Sequence, residues 1–86
     1  MIIGVLDMKD TYIPLSRLPV GRKAKVKMLA CEGSVRRRML DLGLIIDTAV
    51  EALLKSPSGD PVAYDIRGAV IALRSEDAGR IIVDAR

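Results

Sequence analysis

A chain of 86 residues has room for one small domain and excludes most large enzyme folds. Half of its residues are hydrophobic, which is enough for the core that ordering a chain of this size requires, so it does not read as disordered. Fourteen Lys and Arg against eleven acidic residues leave a formal charge of +3, too mild to name a partner.

The chain has no His and one cysteine, Cys31, which excludes an internal disulfide and a cysteine-rich zinc site. A reducing compartment is therefore expected, with the cytosol as default. Two Tyr, no Phe and no Trp leave Ile, Leu, Val, Ala and Met to build the core and nothing on which single-stranded nucleic acid could stack.

Met1 to Leu6 is apolar but only six residues long before Asp7, Lys9 and Asp10, so it reads as neither a signal peptide nor a membrane span. Residues 1–12 are expected to form an N-terminal extension ahead of a domain over 13–86. Their apolar stretch either adds a strand to an edge of the same or another chain, a route to a homo-oligomer, or is simply disordered.

Ile13 to Gly21, punctuated by Pro14, Pro19 and Gly21, reads as a lead-in that wraps the core. From Lys23 to Ala30 the chain alternates, with Ala24, Val26, Met28 and Ala30 on one face and Lys23, Lys25 and Lys27 on the other, which predicts a half-buried strand. Val35, Met39 and Leu42 then recur as one stripe of a short helix over about Ser34 to Leu42, with Ser34 as N-cap and Gly43 as its stop.

Alternation returns in Val50, Ala52 and Leu54, turns at Ser56 to Pro61, and continues in Val62, Tyr64 and Ile66. Gly68 separates a further strand over Val70 to Arg74. Ser75-Glu76-Asp77 starts a helical turn with acids at its positive end, and Ile81 to Val83 closes the chain as a last strand. About five short strands with one inserted helix are too few for a sandwich. They predict a mainly β fold, a small, bent, partly open barrel of SH3-like type.

Four ordered motifs carry a resemblance. They are Leu15-Ser16-Arg17-Leu18-Pro19-Val20-Gly21 before the first long strand, Arg36-Arg37-Arg38-Met39-Leu40-Asp41-Leu42-Gly43-Leu44 on the helix, Gly59-Asp60-Pro61 in the hairpin, and Leu73-Arg74 followed by Ala78 and Ile81. In these the chain resembles the FeoA family of ferrous iron transport accessory proteins, from about Pro14 to Val83. It departs from the family where a usual Pro-Gly pair just past the helix is Ile46-Asp47, and where an apolar loop tip is Ser56-Pro57-Ser58. The resemblance implies a non-enzymatic cytosolic regulator acting on the membrane-embedded ferrous iron permease FeoB, whose cytosolic part is a GTP-binding domain. SH3-like domains also occur as regulatory parts of iron-dependent repressors, so a repressor-type or nucleic-acid-associated domain is the alternative.

Arg36, Arg37 and Arg38 oppose the helix dipole and so do not serve helix stability. Either they form a solvated face, with Asp41 pairing to Arg37 or Arg38, or they meet an acidic partner. Leu40 and Leu44 sit off the buried stripe, with Ile45 and Ile46 after them, and either pack in the core under the barrel's open mouth or line an exposed groove for a partner segment. On the second reading the partner surface expected from the sequence is Arg36, Arg37, Arg38, Leu40 and Leu44. Lys23, Lys25 and Lys27 read as gatekeepers against edge pairing or, with the arginines, as phosphate contacts, but no recognition-helix pattern supports nucleic-acid readout. No metal-ligand spacing, nucleophile set or phosphate loop is present, so neither cofactor nor catalytic residue is expected.

Overall fold

The computed structural model describes residues 11–86. The expectations for Met1 to Leu6, and for a homo-oligomer through the extension, lie outside the described residues. In chain order the elements are β1 (Tyr12–Pro14), a 3-10 turn (Leu15–Arg17), β2 (Lys23–Leu29), α1 (Gly33–Asp41), β3 (Ala49–Lys55), β4 (Val62–Ile66), β5 (Ala69–Leu73), α2 (Ser75–Ala78) and β6 (Ile81–Asp84).

All six strands join one antiparallel sheet in the order β1-β6-β2-β3-β4-β5. One strand exceeds the five expected. It is β1, three residues ending in Pro14, which among the described residues pairs only with the distant β6. The lead-in seals the core as expected. Leu15 and Leu18 are buried, and Gly21 takes φ 89° in a turn closed by the Arg22 N–H donating to the Pro19 carbonyl.

The core is aliphatic apart from Tyr64 and draws on every long strand: Val26, Val50, Ala52, Ile66, Leu73, Ile81 and Val83 are buried, with Met39 from α1 and Ala78 from α2. The Tyr64 hydroxyl donates to the Leu15 carbonyl at 3.4 Å, tying β4 to the lead-in. Burial, with a smaller contribution from the charge of Asp60, pushes its pKa up. A proton held more tightly in the folded state gives stability that is fully present below the ordinary tyrosine pKa of about 10 and lost as pH rises through the folded value. Tyr64→Phe should therefore cost about 1 kcal/mol or less at neutral pH, because Leu15 still accepts from the Leu18 N–H at 3.0 Å. It should also flatten the alkaline fall in stability. Denaturant titrations of both proteins between pH 8 and 11 check this, and an identical alkaline limb in the variant would contradict it.

Two strands break the alternation read from the sequence. The β2–β6 register shifts between Val26 and Met28, and the β3–β4 register shifts between Ala52 and Leu54. An extra residue at such a bulge turns each later side chain to the opposite face. Met28 therefore faces solvent, 54% exposed, and Leu29 takes the inner place; Leu54 is turned out in the same way. Bulges bend a strand, and a closing sheet of this size needs bends.

The position of β2 also corrects the gatekeeper reading of Lys23, Lys25 and Lys27. β2 is an interior strand, paired on both sides, so these lysines cover the outer face of the sheet rather than an edge. At the far end Asp60 has a structural duty. Its carboxylate accepts from the Ser75 N–H at 2.9 Å and from the Ser75 hydroxyl at 3.2 Å, capping α2 from the β3–β4 loop.

Candidate partner-binding site

The helix α1 begins one residue earlier than expected. Glu32 is its N-cap and Ser34 lies inside it. The predicted stripe does face the core: Met39 is fully buried and Val35 and Leu42 pack against the cluster. At the C-terminus of the helix the Gly43 N–H donates to the Leu40 carbonyl at 3.0 Å and the Leu44 N–H to the Met39 carbonyl at 3.1 Å, with Gly43 at φ 97°. This is a Schellman closure, which needs a left-handed residue just past the helix and brings the next side chain back toward the last turn. A Cβ at Gly43 would also lie 3.2 Å from the Cδ of Arg67.

Leu44 is consequently 0% exposed and part of the core. The expectation that it belongs to the partner surface is corrected, because the helical period stops at Gly43 and does not carry through to Leu44. The arginines divide as well. Arg38 pairs with Asp77 of α2 at 2.9 Å, which ties the two helices together and replaces the expected pairing with Asp41. Arg36 donates to the Leu29 carbonyl at 3.3 Å, across the gap between α1 and the end of β2. Among the described residues Arg37 has no hydrogen-bond or ion-pair partner and is exposed.

Past the Schellman closure the chain makes a turn, with the Thr48 N–H donating to the Ile45 carbonyl at 2.9 Å. The turn leaves Ile45 and Ile46 in solvent, Ile46 at 62% exposure. Beside them stand Leu40, 40% exposed, and Met28, turned out by its bulge. Together with Lys27 and Arg36 these four apolar residues line a shallow groove of about 210 Å³, floored by Leu29 and Leu44. Leu40, Ile45 and Ile46 were legible as candidates, whereas Met28 was not, since its displacement depends on how β6 pairs with β2.

Asp47 sits in that turn at φ 71°, a left-handed conformation that an aspartate tolerates at a cost and a glycine adopts freely. Its carboxylate takes the Lys27 ammonium at 3.0 Å, a hydrogen bond that raises the lysine pKa. An exposed pair of this kind contributes little, so the backbone preference should prevail. Asp47→Gly is expected to stabilise the protein by about 0.5 kcal/mol, and Asp47→Val to destabilise it by about 1–2 kcal/mol, in urea titrations. A loss above about 1 kcal/mol in the glycine variant would show that the ion pair governs the turn.

Among the described residues no group of three or more His, Cys, Asp or Glu side chains could hold a metal ion, and no helix is long and apolar enough to cross a membrane. Cys31 is a free thiol of intermediate exposure. What the fold presents is an apolar groove with Lys27 and Arg36 in its lining.

Six antiparallel strands in one sheet and two short helices define a small, mainly β domain of SH3-like type. The FeoA domain family matches residues 13–85, and the chain belongs to that family. It is 33% identical over 70 residues to the Fe(2+) transport protein A/Fe(2+) transporter FeoB fusion protein of Porphyromonas gingivalis, a match covering 81% of this chain and 8% of that one. The chain thus spans a small fraction of that relative. The solution structure of FeoA from Chlorobium tepidum is similar at a TM-score of 0.79 and 36% identity, covering 85% of this chain and 70% of the other. The zinc-complexed FeoA of Stenotrophomonas maltophilia, described as an SH3 domain protein, is similar at 0.71 and 32% identity, covering 83% and 88%.

Proposed function

We propose that this domain is a non-enzymatic accessory of ferrous iron uptake that works in the cytosol by binding the cytosolic, GTP-binding part of a FeoB-type permease. The observation that carries the reading is the fusion relative, in which transport protein A and the FeoB transporter share one polypeptide. Domains joined in one chain meet at high effective concentration, so even a weak contact surface between them suffices.

The groove supplies that surface. Leu40, Ile45, Ile46 and Met28 offer apolar area to an anchor, while Arg36 in the groove lining and Arg37, exposed on the same helix, offer forked donors to carboxylates. Arg38 contributes through Asp77 by holding α1 in place, and Leu44 contributes as the floor of the groove. In this reading the domain has no chemistry of its own, and its effect on the permease is exerted through contact. Nucleic acid is not its partner in this reading, and it reaches the membrane by way of the permease.

Immobilising the permease's GTP-binding domain and titrating the purified chain, with and without GTP, tests the reading. Saturable binding in at least one nucleotide state is expected. Absence of binding in both states would overturn it.

A further inference from the structure

Of the two methionines among the described residues, one is sealed and the other open. Met39 is 0% exposed, inside the core under α1. Met28 is 54% exposed. The bulge in β2 puts it there: the register against β6 shifts between Val26 and Met28, so Leu29 takes the inward place and Met28 stands on the outer face opposite Ile82. Ile82 pairs in turn with Pro14 of β1, and Leu40, Ile45 and Ile46 line the groove that Met28 shares. The thioether is thus open to solvent and bordered by apolar side chains.

We propose that Met28 is an oxidation site, and that conversion of its thioether to the sulfoxide by a peroxide weakens binding in the groove. The second half of this rests on the groove being the partner surface. In the step, a sulfur lone pair attacks one oxygen of hydrogen peroxide. The S–O bond forms as the O–O bond breaks, sulfur loses two electrons, and the departing hydroxide takes the proton of the transferred oxygen and leaves as water. A thiol-dependent sulfoxide reductase reverses the change, two thiols becoming a disulfide while the oxygen leaves as water. A reagent in solution reaches Met28 and not the sealed Met39, so the folded protein is modified selectively.

The sulfoxide oxygen is a strong acceptor. On the free protein water solvates it, so stability is hardly changed. Under a seated apolar anchor it loses that water, and the side chains of Leu40, Ile45 and Ile46 have no donor to offer in exchange. The two cations in the lining are already engaged, Lys27 by the Asp47 carboxylate and Arg36 by the Leu29 carbonyl. Oxidation therefore acts on affinity and leaves the fold intact.

The test treats the full chain with graded hydrogen peroxide, removes the peroxide, and restores any oxidised Cys31 with a dithiol. Peptide mass spectrometry then locates the oxygen gained, and the thermal midpoint and the affinity for the permease's GTP-binding domain are measured on the same samples. Met28 should gain one oxygen before Met39 does, the midpoint should stay within a few degrees, and affinity should fall about tenfold. Methionine sulfoxide reductases acting on both epimers should restore it. Met28→Leu, compared with itself before and after peroxide, should lose no affinity. Oxidation of Met39 as fast as Met28, undiminished affinity once Met28 is oxidised, or an equal loss in Met28→Leu would each overturn the proposal while leaving the partner surface in place. Untreated protein that binds in neither nucleotide state would overturn the reading of the groove, and this proposal with it.

Discussion

Replacing Leu44 by Ala is expected to cost about 3 kcal/mol of folding free energy, a large share of the roughly 5–10 kcal/mol available to a domain of this length. The residue follows Gly43, and without the Schellman closure it would project from the helix beside Leu40. With the closure it is fully buried beside Met39. Removing its isobutyl group deletes buried area and leaves a cavity that the closed turn cannot easily collapse. A thermal midpoint lower by roughly 15–20 °C should report the loss. Leu40→Ala, one helical turn earlier and 40% exposed, should cost less than about 1 kcal/mol. Equal effects of the two substitutions would show that the turn does not bury Leu44 in solution.

The second large effect concerns affinity. Leu40→Ser with Ile46→Ser removes two of the four apolar side chains that line the groove without touching the core. In interfaces of this kind a desolvated apolar anchor contributes about 2 kcal/mol or more, so the double variant should bind the permease's GTP-binding domain at least about 30-fold more weakly. Its thermal midpoint should stay within a few degrees of wild type. Arg36→Ser with Arg37→Ser, by contrast, should mainly slow association and reduce its dependence on salt, because rim charges steer encounter more than they hold the complex. Retained affinity in the Leu40/Ile46 variant would place the interface elsewhere.

The legible parts of this fold are those fixed by local pattern. Alternation located β2, β3 and β4, the Val35, Met39, Leu42 stripe oriented α1, and Gly43 marked its end. What escaped the sequence depends on distant partners. The extra residues in β2 and β3 are extra only relative to β6 and β4, so the outward turn of Met28 and Leu54 has no local signature. β1 contains a proline and pairs with β6, distant in sequence, and Asp60 caps a helix from another loop. The candidate surface followed the same division. Arg36, Arg37 and Leu40 were readable from the helix, as were the two isoleucines after it. The burial of Leu44 and the pairing of Arg38 with Asp77 required the closed turn and the neighbouring helix to be known.

The most direct test of the binding surface is to titrate isotopically labelled protein with the permease's GTP-binding domain and track its amide resonances. The account predicts shifts and broadening confined to Met28, Arg36, Arg37, Leu40, Ile45 and Ile46 and their neighbours, saturating with added partner. Perturbations centred instead on the Ser56 to Pro61 loop or on the lysine-bearing face of β2, with the groove amides unmoved, would contradict it.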